Sequence, residues 1–343
     1  MFGGNMNGSM GEIASLALIL GGLYLLWRKV ITWHIPVAVL GTMALFALCV
    51  ALGIGGYMKG TMSVDMGGIA NNLDFVTADI PTPNRPDMRS QFQMDASTSR
   101  IFLKLVGRRT SIGDFTVYLE SDFRGGGAGS YNMRLRQAYI QLGSIRAGRS
   151  WSTFFDPASA PPTVDFEGPS GTVFGRNMQL QYSQRLNKHW SFAAAIEAPS
   201  ASYTTQAGQS EAIKQRLPDL PAYVQYEWDG GQSHIRLSGL LRALSYRNLV
   251  SADNKYALGW AGQLSGTIAL TPQFTLYYQA AYGRGYSSYM NDLSGAGYDL
   301  ISTGDKGKMI APHILGFVGE AVDGLAAGHL PGGLPEGLLE AEI

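Results

Sequence analysis

Apolar and polar residues alternate with a period of two from Tyr57 to about Tyr286. In "GDFTVYLESDF", Asp114, Thr116, Tyr118, Glu120 and Asp122 share one parity, and Phe115, Val117, Leu119 and Phe123 the other. "NMQLQYSQRL" sets Asn177, Gln179, Gln181, Ser183 and Arg185 against Met178, Leu180, Tyr182 and Leu186. "KYALGWAGQLSGTIAL" and "QFTLYYQAAYG" repeat the pattern. Each predicts a strand with one wet and one oily face. The segments run about ten residues, the length of a tilted membrane-spanning strand. Tight turns ("NKH" at 187–189, "DGGQ" at 229–232, "TPQ" at 271–273) join some, and long Gly/Pro-rich stretches join others. "RLRQAYIQLG" departs from the rule, with polar residues on both parities, as a bulge would produce. By this pattern the chain supplies about eleven strands.

The first fifty-odd residues read differently. Residues 13–27 and 35–56 are uncharged and apolar. About 20 such residues cross a bilayer as a helix. Arg28 and Lys29 between them favour a cytoplasmic loop. A signal peptide would have one shorter apolar core, so two segments predict an α-helical transmembrane hairpin over 1–55. The expected organisation is this hairpin, a β-barrel region over 56–312, and a Gly/Leu/Pro-rich tail over 313–343 where alternation fades.

Composition sharpens the β reading. Only 15% of residues are charged, against about 25% in typical soluble domains. The 44 glycines and 17 tyrosines suit a membrane barrel. Basic and acidic residues balance at 26 each, which gives nucleic acid no purchase. The supposed interior face carries Arg100, Lys104, Asp114, Glu120, Arg185, Glu197, Glu227 and Arg236, whereas a soluble β-sandwich would bury its oily face. The fold expected is mainly β: an antiparallel transmembrane barrel, complete or not, after the helical hairpin.

Two resemblances add to this. "FGGNMNGSMGEIASLALILGGLYLLWRKVITWHIPVAVL", through Gly4-Asn5, Asn7-Gly8-Ser9, Gly11-Glu12 and the "WRKVITWHIPV" loop, resembles the D subunit of Rnf-type electron-transport complexes. That family carries a flavin on a threonine of a Ser-Gly-Ala-Thr motif, which this sequence lacks, so no cofactor is expected. "SIGDFTVYLESDFRG", "RLRQAYIQLGSIRAGRSWSTFFDP" and "RLPDLPAYVQYEWDGGQSHIRLSGLLRALSYR" resemble the DcaP-like outer-membrane porins, over about 56–312. That resemblance implies a trimeric barrel of about sixteen strands in a Gram-negative outer membrane, passing dicarboxylate-like solutes. The two together read as a fusion, with an electron-transport fragment as the alternative function and the inner membrane as its address.

Enzyme chemistry has little support. "RGGGAGS" lacks the dinucleotide spacing, and G-x-S-x-G, H-E-x-x-H and P-loop motifs are absent from the sequence. The five histidines lack metal-ligand spacing. What remains is charge. Arg100, Lys104, Arg134, Arg136, Arg149, Arg176, Arg185, Arg236 and Arg242 recur at supposed polar positions and form the expected pore-lining, anion-binding set. Between Phe155 and Phe174 a long loop carries Asp156, Asp165 and Glu167 and no base. Folded inward, it would constrict the pore and set acid opposite base. Arg134, Arg136 and Arg149, in strands flanking that loop, are the strongest candidates for an anion ladder. The expected partners are the bilayer, small anions and two further copies of the chain.

Overall fold

The computed structural model describes residues 50–323 except 69–75, 77–79, 84–85, 111–112, 127–128, 164–166, 272 and 305, together with Tyr24 and Arg28. The expected hairpin, as far as residue 49, and residues 324–343 of the expected tail lie outside the described residues. Among the described residues no helix is long and apolar enough to cross a membrane. The chain divides into two compact units, residues 1–52 with 105–108, and residues 53–104 with 109–343. The second carries the features below.

The described strands are, in chain order, β1 (Val50–Tyr57), β2 (Thr61–Asp65), β3 (Gln91–Asp95), β4 (Arg100–Thr110), β5 (Gly113–Gly125), β6 (Asn132–Leu142), β7 (Ile145–Trp151), β8 (Arg176–Arg185), β9 (Trp190–Glu197), β10 (Tyr203–Thr204), β11 (Ser210–Ala212), β12 (Leu220–Trp228), β13 (Ser233–Asn248), β14 (Asp253–Ala269), β15 (Phe274–Arg284), β16 (Leu300–Ser302), β17 (Met309–Ile310) and β18 (His313–Asp323). The main sheet runs β1-β4-β5-β6-β7-β8-β9-β12-β13-β14-β15-β18, with β11 added against β13. Its ladders from β5 onward are antiparallel. Strands β10, β16 and β17 form a small second sheet, and β2 and β3 a ribbon.

The alternation predicts most of these strands, but the two ends of the sheet correct it. Residues 50–55, assigned above to a helix, begin β1. "VALGIGGY" has no polar face, and an apolar run cannot be told from a buried helix by period. Its glycines let β4 approach. A Cβ on Gly55 would lie 2.4 Å from the Phe102 ring, and one on Gly56 2.2 Å from the Arg100 carbonyl. At the other end, residues 313–323, assigned to the tail, form β18 and pair along all of β15. Alternation fades there because the 152–175 loop covers the inner face of β18. Ile314 packs on the Phe154–Met290 cluster, and a Cβ on Gly316 would strike Gly171 and Met290. Among the described residues the path therefore holds twelve strands, against the roughly eleven expected.

Burial along β13 is inverted relative to a soluble sheet. His234, Arg236, Ser238, Leu240 and Arg242 are buried, while Ile235, Leu237 (64% exposed) and Leu241 face out. The same holds for Met178 and Leu180 against Gln179 and Gln181 on β8. Water would not leave this many large apolar groups outside and these polar groups inside; hydrocarbon does. The aromatic bands lie at two levels. Trp190, Tyr226 and Trp228 cluster beside the short turns, and Trp260, Tyr282 and His313 at the opposite end. Phe274 to Tyr282 spans roughly 26 Å at about 3.3 Å per residue, near the height of a membrane barrel's apolar band.

The predicted short turns are found at one end. Asn187 caps the backbone of His189 and Trp190, and Thr271 that of Phe274. The irregular strand is a bulge. Glu120 faces Gln137 and Ser121 faces Leu135, so Arg136 is the extra residue and both Arg136 and Gln137 are buried on the polar face.

Candidate functional site on the polar face

Residues 152–175 link β7 to β8 at the long-loop end, and the described ones, 152–163 and 167–175, lie across the polar face rather than over the rim. Ser152 and the Thr153 amide donate to Glu197 on β9 (3.0 and 2.7 Å). Thr153 Oγ1 donates to Gln179 Oε1 and accepts from Gln181 Nε2, both at 2.8 Å, on β8. Ser159 Oγ accepts from Gln279 Nε2 on β15 (2.8 Å). Phe154, Phe155 and Val173 form a small core with Leu240, Tyr286, Tyr289 and Met290.

The strongest fastening is Asp156, which is fully buried. His234 Nε2 donates to its Oδ2 (2.8 Å), as does Ser265 Oγ (2.7 Å). Arg236 Nη1 lies 3.6 Å from Oδ1 and donates to the Phe155 carbonyl (3.0 Å). Burial alone would raise this carboxyl, but Arg236, His234 and Ser265 outweigh it and hold it far below the usual range. Asp156, expected as an acid of an inward loop opposite a basic wall, lies against Arg236 and His234 of that wall, and its charge is spent on them. Asp165 lies outside the described residues. Glu167 accepts a bond from Asn291 through its backbone carbonyl.

The predicted arginines divide into three sets. Arg100 (β4), Arg134 and Arg136 (β6) gather around Glu120 and Asp122 of β5. Arg100 reaches Glu120 at 3.3 Å. Arg136 reaches Glu120 at 2.8 Å and Asp122 at 2.7 Å, and Arg134 reaches Asp122 at 2.6 Å. Lys104 shares Arg100's parity on β4. Arg176 belongs beside this group, within electrostatic range of Arg136, Arg100, Glu120 and Arg134. Its guanidinium stacks 3.5 Å over the Trp151 ring, and its Nε and Nη2 are buried with no hydrogen-bond partner among the described residues. Four guanidinium groups thus meet two carboxylates.

The second set is structural. Arg236 pins the loop. Arg242, fully buried, binds Asp219 (3.1 Å), Asp299 (2.9 Å) and the Gly285 carbonyl (2.9 Å), which ties the 198–219 and 285–312 loops to β13. The third set stands apart from both, Arg185 on the polar parity at the short-turn end and Arg149 on the oily parity. Arg185 is exposed near a short turn and pairs with Glu227. Arg149 stands opposite Met178 and Ala138 in the register, in line with exposed Ala147 and Ile145. It is therefore on the oily parity and cannot belong to a ladder with Arg134 and Arg136. A count of arginines in "IRAGRSW" does not reveal this; the parity of Arg146, Gly148 and Ser150 does.

Sequence reading missed His234 and Glu197 as anchors. Both sit on the polar parity of their strands, which is the signal available, but nothing local to them names Asp156 or Ser152 as partner.

A family model described as "DcaP outer membrane protein" matches residues 50–299. Another, "NQR2, RnfD, RnfE family", matches residues 1–87, so both cover 50–87. The D subunit of the proton-translocating ferredoxin:NAD(+) oxidoreductase complex of Clostridium ljungdahlii is 38% identical over 84 residues, 24% of this chain and 25% of that protein. The D subunit of the Na(+)-translocating complex of Acetobacterium woodii is 54% identical over 43 residues, 12% of this chain and 14% of that protein. The chain thus spans a quarter or less of these curated relatives. Among solved structures, the outer membrane channel DcaP of Acinetobacter baumannii superposes with a TM-score of 0.67 at 18% identity, covering 79% of this chain and 73% of that one. The trimer form of OmpT from Vibrio cholerae gives 0.32 at 9% identity, over 80% and 99% of the two chains.

Proposed function

We propose, for a chain that belongs to the DcaP outer membrane protein family and is an outer-membrane porin, that its pore prefers small anions, dicarboxylates among them. One observation carries the preference: the unpartnered Nε and Nη2 of Arg176 beside Arg100, Arg134 and Arg136. A buried guanidinium without a carboxylate leaves its charge uncompensated, a field that draws a passing carboxylate toward the cluster, where arginines can grip it by two parallel bonds. Each charge-assisted bond contributes about 1.5–3 kcal/mol, enough to draw an anion from water and weak enough to release it. Glu120 and Asp122 hold the neighbouring guanidiniums in place and leave the excess positive charge toward Arg176.

The reading is of a passive channel, without catalysis or cofactor, assembled as a homotrimer. The experiment is the reversal potential of a reconstituted channel in a KCl gradient. Arg176→Gln is expected to move it toward cations and to weaken block by succinate. An unchanged potential would refute the assignment. The match over residues 1–87 favours a second reading, a redox fragment; flavin fluorescence in the denatured band would support it.

A further inference from the structure

The oily side of the same strands carries a groove of about 450 Å³, remote in chemistry from the polar face. Its floor is Ala147 of β7, Met178 and Leu180 of β8 and Ile196 of β9. Its wall is the end of the 198–219 loop, at Leu217 and Pro218. The depression exists because β7 has small residues here. Gly148 has φ +135°, and a Cβ on it would meet the Ala138 carbonyl at 2.3 Å and Tyr139 Cα at 2.6 Å. Met178, Leu180 and Ile196 are more than half exposed, the side that meets hydrocarbon.

The groove lies at the long-loop end, which in outer-membrane barrels is the extracellular one. Two cations flank it. Arg216 lines the groove, and its guanidinium bonds only the Tyr256 hydroxyl (3.2 Å) among the described residues. Arg149 sits beside Gly148 and opposite Met178, with no ion pair among the described residues. The one acid on the lining, Glu197, turns its carboxylate to the other face, where it holds Ser152 and Thr153. An apolar slot in the lipid-facing wall, rimmed by cations and free of outward acids, complements an acyl chain that ends in a phosphate.

We propose that this groove binds one acyl chain of an outer-leaflet lipid, with its phosphate headgroup held by Arg149 and Arg216. Arg149 thereby finds a role on the parity where the pore offered it none. The chain's small residues set the depth, and the two arginines set the headgroup.

The test reconstitutes the full chain in phosphatidylcholine vesicles with spin-labelled phosphatidic acid or spin-labelled phosphatidylcholine, and measures the motionally restricted fraction. Near-surface cations contribute roughly five-fold each to anionic-lipid binding, so phosphatidic acid is expected to be preferred by roughly five-fold or more. The paired variant Arg149→Gln and Arg216→Gln should bring the two lipids level, and high salt should do the same to the unaltered chain. Ala147→Trp, which fills the floor, should cut the restricted fraction of either lipid. Leu217→Trp fills the slot from the loop and serves if the first variant fails to show the heat-modifiable band. Equal association of both lipids with the unaltered chain would overturn the proposal. So would a folded, filled variant that retains the preference. A filled variant that changes assembly mass but not lipid association would assign the face to a second copy and overturn it as well. Reversal potential is read in parallel: it tests the anion pore and is expected to be indifferent to all four substitutions.

Discussion

Asp156→Asn probes the loop most directly. The carboxylate accepts from His234 Nε2 and Ser265 Oγ and neutralises Arg236. An asparagine keeps the shape but removes the charge; its oxygen can take the Oδ2 place and accept from both donors, which turns its N–H₂ toward Arg236. The two bonds fall from charge-assisted to neutral strength, and Arg236 is left buried without its carboxylate. Breaking a buried pair from one side costs about 3–5 kcal/mol. The remaining fastenings include neutral bonds such as Gln279–Ser159 and Thr153–Gln179, at about 0.5–1.5 kcal/mol each. A loss of about 3 kcal/mol raises the population of the detached loop by about two orders of magnitude. Single-channel conductance should rise and become noisy, and amide exchange over 153–163 should quicken. Unchanged conductance and protection would refute the claim that Asp156 holds the loop on the wall. The pH sign follows. Asp156 is depressed, so its stabilisation is complete above the ordinary carboxylate value of about 3.9 and is lost only as pH falls through its lower folded value. Lowering pH from 7 to 5 should leave the conductance unchanged on account of this group.

Other outcomes follow from the same geometry. Leu237→Lys, on the outward parity of β13, should destabilise the refolded protein by about 2–4 kcal/mol in a urea titration from lipid vesicles, more than Leu315→Lys nearer the strand's end. Gly148→Ala should abolish the heat-modifiable folded band, because its Cβ meets backbone that cannot move aside. Tyr289 offers one hydroxyl proton to Glu197 and Asp219, at 3.1 and 3.0 Å. Tyr289→Phe should therefore loosen the 285–299 loop by about 1–3 kcal/mol, read as faster amide exchange there. Burial raises Asp219 despite Arg242; the margin this adds is full below about pH 3.9 and lost as pH rises through the folded value, so Asp219→Asn should flatten the pH dependence of that exchange.

The chain by itself determined the class of fold and the facing of most strands. Period-two alternation is a local property, and "NMQLQYSQRL" states without any partner that Gln179 and Met178 face opposite ways. The turns at 187–189 and 271–273 were equally local, since Asn187 and Thr271 cap their own neighbours. The tertiary structure decided what alternation cannot encode. Val50–Tyr57 is a strand because β4 lies beside it; alone, the same residues suit a helix. Strand β18 lost its alternation because a loop from far along the chain covers its inner face. Arg136 and Arg149 look alike in sequence. The bulge turned the first inward, and the register turned the second outward. Asp156 read as an acid of an inward loop opposite a basic wall, and it is a buried anchor because His234 and Ser265, 78 and 109 residues away, arrive beside it. Side-chain parity follows from backbone stereochemistry within a few residues, whereas partners follow from which strands the sheet brings together. Partners decide whether an arginine is neutralised, structural or left open to a ligand.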